Sequence, residues 1–105
     1  MIALAMLALA TLPVAATAFE DASGLSLEKT GAELAISAVA KGSAGEEAGF
    51  TVGDLIVHVD GKQCADMDAQ KLSDWLKEKG GTTHHVAIRR DGKTKLRNLK
   101  LKQPL

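Results

Sequence analysis

Residues 41–62, KGSAGEEAGFTVGDLIVHVDGK, constrain this chain more than any other stretch. Five glycines (Gly42, Gly45, Gly49, Gly53 and Gly61) interrupt the stretch, which passes into the β-branched series LIVHV at residues 55–59. Such spacing ahead of a buried strand makes corners in a packed domain rather than a linker. Ser43 or Gly42 is placed to cap one helical turn at 44–48, with Glu46 and Glu47 near its positive end. Gly49 offers the left-handed residue that ends the turn. Gly53-Asp54 then makes a corner into the strand, and Asp60-Gly61 closes it.

The flanks supply the remaining elements. Residues 25–30, LSLEKT, alternate apolar and polar, and Thr30-Gly31 marks a turn. A second strand, LAISAVA at 34–40, follows so closely that the two must pair antiparallel. Asp66 or Asp68 begins the one sustained helix, residues 68–79, with Ala69, Leu72, Trp75 and Leu76 on one side. Lys71, Asp74, Lys77 and Glu78 take the opposite face, and Gly80-Gly81 stops it. A hairpin ends the chain: HHVAIRR at 84–90, the Asp91-Gly92 turn, and TKLRNLKL at 94–101. The fold class is therefore α+β: a small, curled, mostly antiparallel sheet, one short helical turn and one longer helix.

The N-terminal segment differs in kind. Residues 1–18 hold seven alanines and none of the 13 basic or 13 acidic side chains. Their apolar run, residues 2–12, makes a helix of only about 16 Å against a hydrocarbon core of about 30 Å. Pro13 breaks it, and Ala16-Thr17-Ala18 places small residues where a signal peptidase looks. Residues 1–18 read as a signal peptide cut after Ala18, which predicts a periplasmic or secreted protein. Residues 19–23 form a short acidic lead-in, and the domain occupies 24–102. No Lys or Arg precedes the apolar run, so a start upstream of Met1 and a fragment of a longer protein both stay open. An uncut anchor through Phe19, about 27 Å long, is the competing reading. Membrane contact is expected only in that case.

Charge and reactive residues narrow the function. Balanced formal charge excludes a general nucleic-acid binder. The acidic segment 20–60 and basic segment 89–102 read as solvated faces and cross-strand pairs. Cys64, the single cysteine, forms no internal disulfide and reads as a small buried hydrophobe. His84 and His85 are strand neighbours that point to opposite faces, so they cannot chelate one ion together. His58 lies in another strand without ligand spacing. No nucleophile motif surrounds any serine. The chain reads as a non-enzyme without metal, nucleic acid or small-molecule cofactor.

With these elements placed, GSAGEEAGFTVGDLIVHVDGK resembles the core of a PDZ domain. RRDGKTKLRNLKL is similar to the closing hairpin of the bacterial, circularly permuted type found in periplasmic proteases. The likeness runs from about residue 23 to residue 101. It implies a partly open barrel that takes a peptide's C-terminus between one strand and the longer helix. Gly24-Leu25-Ser26-Leu27 matches the family's Gly-apolar-Gly-apolar loop, whose N–H groups meet the terminal carboxylate. Ser26 stands at the third position in place of glycine, and its Cβ narrows the available dihedrals. An internal extended segment is therefore an admissible ligand beside a C-terminus. Ala69, Leu72, Ser73 and Leu76 of the helix would wall the site, and the edge of strand 25–30 would receive the ligand by strand addition.

Three roles compete: a stand-alone exported peptide-binding module, a regulatory fragment or partner of a larger envelope protease, and a structural docking domain of an envelope assembly. Leu25, Leu27, Leu72 and Leu76 also read as plain core residues, and Asp54 and Asp60 as turn residues.

Overall fold

The computed structural model describes residues 17–105. Helix α1 (Ala18–Ser23) leads into strands β1 (Leu25–Thr30) and β2 (Glu33–Val39), the short helix α2 (Ala44–Glu47) and strand β3 (Leu55–Val59). Strand β4 (Lys62–Gln63), helix α3 (Ala69–Lys79) and the strands β5 (Thr83–Arg90) and β6 (Lys93–Lys100) complete it. The strands form one sheet in the order β1-β2-β3-β5-β6, with β4 beside β3, and every pairing is antiparallel. The edges of that order are β1 and β6. This is the α+β class expected, with β4 as an addition that its two residues were too short to announce.

The turn chemistry explains the register. Asp60 and Asp91 have positive φ (50° and 53°) and precede Gly61 and Gly92, also positive. Two consecutive left-handed residues make the loop whose twist matches a hairpin, and Asp-Gly tolerates that conformation best. Ser43 caps α2 through Glu46 N–H, and Asp68 caps α3 through Lys71 N–H at 2.8 Å. Of the two helix starts the sequence offered, Asp68 is the one used.

The core gathers Leu25, Leu34, Ile36, Ile56, Val59, Val86, Ile88 and Leu99 from the sheet, Phe50 from the loop before β3, and Leu72 and Leu76 of α3. Cys64 is buried within it, and burial pushes its thiol up to about 11. The thiolate that would make it reactive is thereby disfavoured.

The segment 19–23, expected as a lead-in outside the domain, is part of it. Thr17 and Glu20 form a capping box: Glu20 N–H donates to Thr17 Oγ1 (3.2 Å) and Thr17 N–H to Glu20 Oε1 (3.0 Å). Gly24, at φ 76°, ends the helix in the left-handed region. Phe19 has no exposed surface and joins the core cluster. The packed structure therefore begins before the boundary at 24. The segment 1–18 expected as a signal peptide lies outside the described residues, apart from Thr17 and Ala18. No helix among the described residues is long and apolar enough to cross a membrane.

Candidate peptide-binding groove

Strand β1 pairs only with β2 among the described residues, and helices α1 and α3 pack against it. Alternate residues of an edge strand direct N–H and C=O outward. Leu25 and Leu27 do so here, with Lys29 next in the alternation. Leu25 N–H donates to Ser23 Oγ at 3.1 Å, and Leu27 N–H donates to Glu20 Oε2 at 3.0 Å. Lys29 Nζ donates to the Ala65 carbonyl, joining the strand to the segment ahead of α3. The edge free of a neighbouring strand is thus met by side chains of its own chain.

The expected site residues divide into three groups. Leu25, Leu72, Ser73 and Leu76 are fully buried, Leu27 and Ala69 are half-buried, and Leu27 packs against the core. Gly24 sits at the corner between α1 and β1. Ser26 is exposed on the alternate face of β1, and its carbonyl accepts from Ser37 Oγ at 3.2 Å. The loop amides that a terminal carboxylate would need are already in use, since Gly24 N–H donates to the Glu20 carbonyl at 2.8 Å. Trp75 is half-buried, with Lys79 Nζ 5.9 Å from its ring centroid. A cavity of about 660 Å³ lies between α1, the loop around Ser43 and the C-terminal tail. Of the expected site residues only Gly24 reaches it.

Sequence reasoning missed Phe19, Glu20 and Ser23 at this site. Phe19 N–H donates to Ser73 Oγ at 2.9 Å, and Ser23 Oγ donates to the Phe19 carbonyl at 2.7 Å. The readable signal was Thr17-Ala18-Phe19-Glu20, a capping-box pattern.

Two aspartates do more than turn the chain. Arg90 donates from Nε and from Nη2 to the two oxygens of Asp54, both at 2.7 Å. Burial alone would raise the Asp54 carboxyl, but Arg90 and the Thr51 N–H more than offset it and hold it below its ordinary 3.8. For Asp60 burial again opposes ionisation, and the His85 N–H and His84 ring outweigh it. Carboxyls lowered on folding stabilise the fold above their unfolded value and lose that contribution as pH falls through the folded value. The urea midpoint is therefore expected to fall below pH 3.8, and less steeply in Asp54→Asn. Parallel slopes for the two proteins between pH 5 and pH 2, set by about the carboxyl range, would show that Asp54 contributes nothing.

The histidines are placed apart. His84 is buried, His85 is exposed and bonds Asn98, and His58 is exposed. Among the described residues no three His, Cys, Asp or Glu side chains are grouped to hold a metal.

The antiparallel sheet with helices α1 and α3 against its edge strand is a small α+β architecture found in known proteins. The chain resembles the crystal structure of the serine endoprotease from Yersinia pestis, with 23% identity and a TM-score of 0.63 over 77% of this chain and 28% of that one. It also resembles a photosystem II D1 C-terminal processing protease, with 23% identity and a TM-score of 0.64 over 97% of this chain and 27% of that one. The chain thus spans little more than a quarter of either, and the likeness is one of fold. Among curated proteins none matches. The sequence pattern of the PDZ domain matches residues 35–90, more than half of the chain, and the chain belongs to the PDZ domain family. Strand β1 comes early and the closing hairpin last, the permuted order that the resemblance implied.

Proposed function

We propose that this PDZ domain is a binding module, not an enzyme, that accepts an extended peptide by strand addition between β1 and α3. The observation that carries the reading is the outer edge of β1, which has no strand beside it among the described residues and has α1 and α3 packed against it. Gly24, Leu25, Ser26 and Leu27 would offer the backbone, and Ala69, Leu72, Ser73 and Leu76 the wall. A ligand of four or five residues covers about 13–17 Å of edge. So small a contact corresponds to micromolar affinity, on the order of −8 kcal/mol. Because the loop amides are held internally, an internal segment fits this site as well as a C-terminus does.

We further propose export to the periplasm or secretion, with cleavage after Ala18. That cut would precede folding, because Phe19 is buried in the folded domain. N-terminal sequencing of the exported protein tests it, and a start other than Phe19 refutes that site. A second reading, the PDZ part or partner of a larger envelope protease, draws support from the two proteases that share the fold.

The test of binding is a screen against random decapeptides with free and with amidated C-termini. Equal binding by both sets indicates internal segments; no binding at high micromolar concentration ends the reading. Leu27→Glu is expected to leave the domain folded, since Leu27 is only half-buried. It should weaken binding by at least about tenfold, as loss of one apolar contact and a new charge at the edge imply. Thermal melting checks the fold, and unchanged affinity would remove Leu27 from the site.

A further inference from the structure

We propose that helix α1 is a built-in plug of the groove: it stands in the ligand's place, and a peptide reaches β1 only by displacing it. The inference rests on the strand-addition reading above and adds its regulation. Phe19 fills the space against α3, fully buried with Leu72 and Leu76 in one cluster. Its N–H is tied to Ser73 Oγ, so backbone as well as side chain engages the wall of the groove. Glu20 divides its carboxylate between two tasks. One oxygen completes the cap on Thr17, a residue that the proposed cut after Ala18 would remove. The other accepts from Leu27 N–H, a contact that does not involve Thr17 and lies where an added strand would present a carbonyl. Ser23 likewise takes the Leu25 N–H.

The plug is suited to leave. It has six residues, far fewer than an isolated helix needs to persist in water, and one large apolar side chain anchors it. Such segments open at the low end of a protein's stability range. Peptide affinity is then reduced by the fraction of molecules in the open form, and weakening the plug raises it. The direction of the effect is diagnostic. A residue that only builds the groove weakens binding when removed, whereas a plug residue strengthens it.

The experiment compares the full-length chain with Phe19→Ala/Glu20→Ala and with Glu20→Ala alone. The probes are peptides selected from the free and amidated decapeptide sets, with dissociation constants read by fluorescence anisotropy. The double variant is expected to bind at least about tenfold tighter, from loss of the buried aromatic anchor. Glu20→Ala, which leaves the core untouched, is expected to bind about threefold tighter and keeps the test decisive if the double variant does not fold. Unchanged or weaker binding by both variants, with measurable binding by the wild type, overturns the plug and leaves the peptide reading standing. Absence of binding by all three proteins overturns both.

Discussion

Gly24→Ala is expected to lower the thermal midpoint by more than about 10 °C, taking 4–8 °C per kcal/mol for a domain of this size. Two costs act together. Gly24 has φ 76°, and a Cβ in that region costs about 1–2 kcal/mol. That Cβ would also stand 2.2 Å from Ser43 Cβ and 3.2 Å from Ala40 Cβ, so the corner between α1 and β1 must move off the loop before α2. Overpacking of this kind costs about a further 1–3 kcal/mol. Gly31→Ala is the control, because φ there is 61° and nothing lies within 4 Å of its Cβ position. It should show the dihedral cost alone. Equal losses in the two variants would mean that the packing of Gly24 on Ser43 is not maintained in solution.

Asp60→Ala is expected to cost about 1–3 kcal/mol, measured by urea denaturation at neutral pH. Asp60 accepts from His84 Nδ1 and from His85 N–H, both at 2.7 Å. A carboxylate only accepts, so Nδ1 carries the proton. His84 is 1% exposed, and its Nε2 is the one buried side-chain nitrogen or oxygen without a partner among the described residues. Removing Asp60 therefore strands both ring nitrogens in the core. Asp60→Ala/His84→Leu should recover much of the loss, because an apolar ring-sized side chain asks for no partner. A double variant as weak as the sum of the singles would show that the pair is not coupled.

Much of this fold was legible in the sequence because its corners use residues with few alternatives. Asp60-Gly61 and Asp91-Gly92 admit little besides tight hairpins, and Leu72 and Leu76 at helical spacing must face the sheet. The same logic located strand β1 within residues 25–30 and the cap of α3 among two aspartates. The role of α1 was not legible for a physical reason. Thr17-Ala18-Phe19-Glu20 supports two patterns at once, small residues before a cleavage point and a capping box, and the uncharged run upstream favoured the first. Nor could spacing show that Phe19 meets Ser73, which is 54 residues away. Asp54 and Asp60 were readable as turn residues, but their partners Arg90 and His84 come from the neighbouring strand β5, 36 and 24 residues along the chain. Pairings of that kind follow from register, and register follows from the assembled fold.

The central claim is that an incoming chain docks on the outer edge of β1. Amide chemical-shift mapping of the nitrogen-15-labelled domain, titrated with a selected decapeptide, tests it most directly. The predicted result is movement of resonances from Leu25–Thr30, from α3 along Ala69 to Leu76, and from Phe19 and Glu20 as α1 gives way. Shifts confined to β6, the other edge of the sheet, would contradict it.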